Sequence, residues 1–253
     1  MRLYLIALQF LTIIPIPFSF KCEERDLGRS MSFFPLVGLT LGAVLAGLDY
    51  ILSGLLPREV GDLLLVAILA VITGVLHLDG VADVCDGLAA RGDRDRFLAV
   101  MKDSWTGAAG AVGLVLVLLL KYESLLHIPP DTKRHVLFCF PMLARFAQVQ
   151  MAVGASKARN DGLGSLFILG AGWRQILFAV VTTIALSFIL LGMAGLWLFI
   201  AVYLFTWIIK AWFHRKLGGI SGDIIGFTNE LNEILCLLIL LAMTGTRGTG
   251  LNI

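Results

Sequence analysis

Apolar residues run in long blocks along this chain, and polar residues gather between the blocks. The blocks cover 31–53, 62–78, 107–126, 135–153, 175–191, 195–213 and 231–244. Each is bounded by glycine, proline or charge, the residues that punctuate helices. A helix crossing the hydrocarbon of a bilayer needs roughly 20 apolar residues, so the pattern predicts about seven transmembrane helices. The last block is short. Residues 1–18 add a basic start and an apolar stretch that Pro15 and Pro17 interrupt. No small-residue cleavage site follows, so a retained N-terminal membrane segment is expected, either spanning or dipping in. The predicted fold is an all-α polytopic helical bundle, forming a single transmembrane catalytic domain over 1–253.

The polar connections are unequal. Those at 79–106, 154–174 and 214–230 are long, whereas 54–61, 127–134 and 192–194 are short. If the seven blocks cross in turn, the long connections share one face with segment 19–30. Lys21, Arg25, Arg29, Arg91, Arg94, Arg96, Lys102, Lys157, Arg159 and Arg174 lie on that face, with Lys210, Arg215 and Lys216 beside it. These are 13 of the 20 basic residues. The opposite connections hold Arg58, Lys133 and Arg134, with Arg247 in the tail. Basic residues favour the cytoplasmic side, so the long connections are expected to face the cytoplasm from a cell (inner) membrane.

Composition agrees. The 253 residues are 58% hydrophobic and 15% charged, with a mean hydropathy of +0.89, against about 25% charged in soluble domains. The net charge of +2 is uninformative beside its distribution, and nothing suggests nucleic-acid binding. Cys22, Cys85, Cys139 and Cys236 are widely spaced, which argues against a zinc site or a disulfide framework. Cys139 and Cys236 fall in apolar blocks as small hydrophobes. Cys85 sits among acids, but its soft sulfur suits a hard cation poorly.

Candidate chemistry concentrates in HLDGVADVCDG at 77–87. Asp79, Asp83 and Asp86 are spaced i, i+4 and i+7, one stripe of a helix. Bare like charges at this spacing repel, and a bound Mg²⁺ would reverse the interaction. Magnesium takes one or two carboxylates, keeps waters and completes its shell with substrate phosphate. A solvated acidic loop is the simpler alternative, but Val81, Ala82 and Val84 alternate with the acids. His77 could donate to phosphate or be an interfacial polar residue.

Four further segments add candidates. RGDRDR at 91–96 reads as a solvated turn. MKDSWTGAAG at 101–110 offers Lys102, Asp103, Ser104 and Gly107 at a helix start, where backbone N–H groups suit phosphate and where Asp103 or Ser104 could equally cap the helix. At 158–164, Arg159 stands among glycines that would suit an anion or form an ordinary turn. GGISGDIIGFTNELNE at 218–233 places Asp223, Glu230 and Glu233 where one helical face could display all three. Glu230 and Glu233 could also merely favour a helix N-terminus. Lys121 is expected to snorkel to the interface. Arg145, mid-span, is a functional suspect expected to pair with an acid of a neighbouring helix.

Taken together, these segments resemble the cobalamin synthase (adenosylcobinamide-GDP ribazoletransferase) family over nearly the whole chain. The resemblance is carried by LTIIPIP at 11–17, FPLVG at 34–38, HLDGVADVCDG at 77–87, MKDS at 101–104, GLG at 162–164 and GISGD at 219–223. One departure is Trp105, where the family shows arginine after the Asp–Ser pair; Arg91, Lys102 or Arg159 would then substitute for it.

The resemblance implies a reaction. The 3′-hydroxyl of α-ribazole, or of its 5′-phosphate, attacks the phosphoryl group attached to cobinamide, and GMP leaves. It implies Mg²⁺ dependence, with adenosylcobinamide-GDP and α-ribazole (phosphate) as substrates. On this reading Asp79, Asp83, Asp86 and Asp103 hold metal. Asp223 or Glu230 completes a second metal site or acts as base. Lys102 and His77 assist catalysis, while Arg159, Ser104 and Gly107 bind phosphate. A homo-oligomer or a complex with other corrinoid enzymes is compatible with the chain.

Two other functions fit parts of the pattern. A CDP-alcohol phosphotransferase signature, D-x-x-D-G-x-x-A-R, is satisfied at 83–91, but residues 92–110 lack its further spaced aspartates. A transporter would also carry intramembrane charge and glycine-rich segments, but here the acids gather at one face.

Overall fold

A computed structural model describes residues 1–16, 23–159 and 162–245 of the chain. Lys21, Cys22, Asn160, Asp161 and Arg247 lie outside the described residues. Within them the protein is helical, with one isolated bridge between Lys157 and Ile220. The helices are α1 (Arg2–Leu11), α2 (Glu24–Ser30), α3 (Phe34–Leu52), α4 (Arg58–Ile72), α5 (Leu76–Ala89), α6 (Arg94–Val100), α7 (Ala108–His127), α8 (Pro130–Ala152), α9 (Leu163–Gly170), α10 (Trp173–Leu191), α11 (Met193–Leu217) and α12 (Gly222–Gly245). A 3₁₀ turn, Met31–Phe33, joins α2 to α3.

The centre of the bundle is α8, which packs against α3, α10, α11 and α12. Cys139 through Ala152 is buried without interruption, including Arg145 and Gln148. Such a helix answers to protein on every side, which is why its polar residues survive there. Its contact with α3 is backbone-close. A Cβ on Gly38 would lie 2.6 Å from Met142 Cα, and one on Gly42 would lie 2.6 Å from both Leu137 O and Phe138 Cα. Two glycines one turn apart are a recurrent way for membrane helices to approach.

Five helical runs are long and apolar enough to cross a membrane: Glu24–Leu52, Ala108–His127, Trp173–Leu191, Met193–Leu217 and Gly222–Thr244. The pair α4 and α5 makes a sixth if counted as one bent span. The count therefore differs from seven in two places. Block 135–153 is the charged, protein-surrounded α8. Block 62–78 is broken, because α4 and α5 meet at 89°. The break is built by Gly74 (φ 60°) and Val75 (φ 59°) in left-handed conformation, which costs a β-branched residue dearly. At ten residues, or about 15 Å, α1 is too short to span. It buries Ala7 and Leu11 in the core.

Two predicted loops are also helical. Residues 76–89 form α5, which buries Leu78, Val81, Ala82 and Val84 while its acids stay at least partly accessible. In 214–230, α11 continues to Leu217 and α12 begins at Gly222. Mean hydropathy marks spans; an amphipathic helix needs only one apolar stripe, and that is what α5 supplies.

At the end of the bundle formed by the last turn of α3 and the first turns of α4 and α8, Lys133 Nζ donates to Asp49 Oδ1 (2.5 Å) and to Asp62. Arg58 donates to the Leu125 (3.2 Å) and Ile128 carbonyls, closing the end of α7. Arg58 and Lys133 are thus structural.

Candidate active site

At the other end of the bundle, α5 lies against the first turns of α12 and α7. A Cβ on Gly80 would meet Asp223 O at 2.5 Å, so this contact requires glycine. All three motif aspartates project from α5. Asp79 is exposed, and Asp83 and Asp86 are half-buried. Asp83 stands in the like-charge field of Asp79, Asp223 and Asp86, with Arg159 as its opposing cation. Arg159 Nη1 is 3.5 Å from Asp223 Oδ2. The stripe expected at 79, 83 and 86 is therefore real, and Asp223 joins it from another helix.

Asp86 has a different immediate task. Its Oδ2 accepts the Gly107 N–H at 2.6 Å and its Oδ1 accepts the Gly110 N–H at 2.8 Å. It caps α7 from a neighbouring helix, and the carboxylate suits the positive end of that helix dipole. Gly107, expected to offer its N–H to phosphate, offers it to Asp86 instead.

A cavity of about 210 Å³ opens beside these acids. Asp79, Asp223 and Arg159 form one wall, and Phe10, Met31, Phe34 and Phe167 form another. His77 and Gln148, both buried, also line it. Gln148 Nε2 donates to His77 Nε2 (2.9 Å) and to Asn229 Oδ1 (2.8 Å). Asn229 Nδ2 in turn donates to Glu233 Oε1 (3.1 Å) and Glu230 Oε1 (3.3 Å).

That chain ends in a buried ion cluster. Lys121 Nζ contacts Glu230 Oε2 and Glu233 Oε2, each at 2.5 Å, and Arg145 pairs with Glu233 Oε1. None of the four is more than 4% exposed. Two cations and two carboxylates sum to zero, the arrangement by which charge is tolerated in such surroundings. Arg145 thus pairs with a neighbouring helix as expected. Lys121 does not snorkel, because two acids of α12 hold it inside. Glu230 and Glu233 do not share the accessible face of Asp223; they face inward.

A family model for cobalamin-5-phosphate synthase matches residues 3–241. The chain belongs to the cobalamin-5-phosphate synthase family. It is 65% identical over 245 residues to an adenosylcobinamide-GDP ribazoletransferase of Geotalea daltonii, covering 97% of this chain and 99% of the relative. Relatives of the same name in Thermoanaerobacter pseudethanolicus and Acetivibrio thermocellus are 32% and 35% identical, with 94% and 93% of this chain covered and 96% and 95% of each relative. No solved structure matches.

For this member of the cobalamin-5-phosphate synthase family, the candidates sort clearly. His77, Asp79, Arg159 and Asp223 line the cavity. Asp83 lies in the electrostatic field of Asp79 and Asp223, and Asp86 caps α7. Lys102, Asp103 and Ser104 are exposed between α6 and α7 and do not line the cavity; Asp103 accepts the Trp105 N–H at 3.2 Å. Trp105 is 85% exposed and does not line the cavity either. Sequence reasoning missed Gln148, Asn229, Phe10, Phe34 and Phe167. A signal existed for Gln148, which follows Arg145 by three residues inside an apolar block.

Among the described residues, no three His, Cys, Asp or Glu side chains are grouped so that they could hold a metal ion. Asp79 and Asp83 stand one helical turn apart on α5, and Asp223 acts on Asp83 from α12.

Proposed function

We propose that this chain transfers the adenosylcobinamide phosphoryl group from adenosylcobinamide-GDP to α-ribazole or its 5′-phosphate, releasing GMP and closing the nucleotide loop of adenosylcobalamin. The observation that carries this reading is the convergence of Asp79, Asp223 and Arg159 on one cavity, in a chain that aligns almost end to end with a ribazoletransferase. The CDP-alcohol and transporter alternatives lose their ground with the family assignment.

Arg159 orients the phosphate and stabilises charge gathering on its oxygens, since a guanidinium matches phosphate oxygens in pairs. Asp223, held by Arg159, takes the proton from the attacking ribazole hydroxyl. A new bond forms from the ribazole 3′-oxygen to phosphorus, and the bond to GMP breaks with its electron pair. Glu230 is replaced in the role of base, because its carboxylate is committed to Lys121. Asp79 and Asp83 would hold Mg²⁺, which supplies neutralisation of the diphosphate and of departing GMP. Asp86 fixes the start of α7 against this centre. Lys102 and Ser104, on the exposed connection, would reach phosphate only from the cavity rim.

The cavity lies at the end of the bundle that carries the long basic connections. We place this end toward the cytoplasm of a cell membrane. The test is turnover: purified protein, adenosylcobinamide-GDP and either ribazole form, with GMP detected across a magnesium titration. GMP release that depends on ribazole and rises with magnesium is expected; an absence of ribazole-dependent GMP refutes the reading.

A further inference from the structure

We infer that the cavity beside Asp79 and Asp223 seats the benzimidazole base of the ribazole acceptor, rather than the guanosine or the corrin ring of the donor. The inference rests on the proposed transfer and assigns one of its substrates to a place.

Three features of the cavity select the ligand. The first is an aromatic wall assembled from three separate elements. Phe10 of α1 stands 4.3 Å from Phe167 of α9 and 6.3 Å from Phe34 of α3, centroid to centroid, and Phe34 is 5.7 Å from Phe167. Phe34 and Phe167 are 1% and 2% exposed. These rings border the cavity as a fixed apolar surface, with half-buried Phe10 the most accessible of the three, and a flat, apolar bicycle meets such a surface with little ordering cost. The second is polarity at the other side, where Asp79, Asp223 and Arg159 would meet a hydroxylated sugar. A nucleoside with an apolar base fits this two-sided lining.

The third feature is His77. It is 3% exposed and lines the cavity, and its Nδ1 has no hydrogen-bond partner within the protein. Nε2 receives the Gln148 amide hydrogen, and Gln148 is held in turn by Asn229. In the neutral ring the proton therefore resides on Nδ1, as the network assigns it. The lining thus includes one imidazole whose N–H is itself buried and has no acceptor in the protein. A benzimidazole riboside has one in-plane ring nitrogen free to accept it. Guanine has donors and acceptors along a whole edge, and most would stay unsatisfied against phenylalanine, at a real cost. A corrin macrocycle exceeds the cavity altogether.

The experiment uses the full-length protein in detergent or nanodiscs and measures KM for each substrate separately. Phe167→Ala should raise the KM for ribazole about tenfold, the scale of a lost base–aromatic stack. The KM for adenosylcobinamide-GDP should stay within about twofold, because that substrate does not use this wall. Phe10→Leu, at a half-buried position, should move ribazole KM in the same direction by less, and serves where Phe167→Ala does not fold. Free 5,6-dimethylbenzimidazole should inhibit the unaltered enzyme competitively against ribazole, and less strongly in either variant. Turnover in which the adenosylcobinamide-GDP KM moves and the ribazole KM does not overturns the inference while leaving the transfer intact. A wild-type protein that releases no GMP refutes the transfer itself.

Discussion

Replacing Glu233 by leucine removes one of two negative charges from a cluster that also holds Lys121 and Arg145. Lys121 retains Glu230, but Arg145 loses the carboxylate that pairs with it. Arg145 is 0% exposed and its Nε already lacks a partner. The variant therefore buries an uncompensated guanidinium, which costs about 3–5 kcal/mol. Arg145→Met leaves the mirror-image excess, a carboxylate with only Lys121 to share, and should cost a similar amount. The double variant leaves Lys121 and Glu230 as a balanced pair, and should recover most of the loss. The assay is equilibrium unfolding in mixed micelles for wild type, both single variants and the double. A coupling of about 2 kcal/mol or more between the two positions is expected, within the range for residues in direct contact. Single variants costing under about 1 kcal/mol, or a double variant costing the sum of the singles, refute the reasoning.

Asp83→Asn should lower turnover at least about a hundredfold at fixed magnesium, with thermal stability unchanged or slightly raised because a repelled charge is removed; an unaltered magnesium titration counts against Asp83 as a ligand. Gly110→Val should displace Asp86 from the start of α7, because a Cβ there meets the Asp86 carboxylate and the Ala82 carbonyl; the measurement is activity beside retained helical circular dichroism. Gly42→Leu should destabilise the α3–α8 contact by about 3 kcal/mol or more, read as the lost folded yield in detergent, and wild-type yield contradicts the close packing. Gln148→Leu should reduce activity and raise the ribazole KM while leaving the adenosylcobinamide-GDP KM in place, since it acts through His77; equal movement of both constants contradicts a positioning role.

Much of this arrangement was legible in the chain. The i, i+4, i+7 spacing of Asp79, Asp83 and Asp86 placed them on one helical stripe, and α5 carries them so. Arg145 stood out because an unpaired charge mid-span is too costly to lack a partner. What stayed hidden was set by tertiary contact. Nothing local to Lys121 reveals that Glu230 and Glu233, more than a hundred residues away, draw it inward. Hydropathy alone read α5 as a loop, since its apolar residues form a stripe and not a run. The aromatic wall is invisible in the same way, because Phe10, Phe34 and Phe167 meet only when α1, α3 and α9 are assembled. Gly107 and Gly110 look like a phosphate-binding helix start until Asp86 is seen to occupy their N–H groups.

The central claim is that the cavity at Asp79, Asp223 and Arg159 performs phosphoryl transfer to a ribazole hydroxyl. The most direct measurement is single-turnover GMP release from adenosylcobinamide-GDP by purified wild-type protein and by Asp223→Asn, with and without α-ribazole. The account predicts ribazole-dependent GMP from the wild type and a rate at least about a hundredfold lower from Asp223→Asn, with adenosylcobinamide-GDP still bound. Ribazole-dependent GMP at the wild-type rate from Asp223→Asn would contradict it.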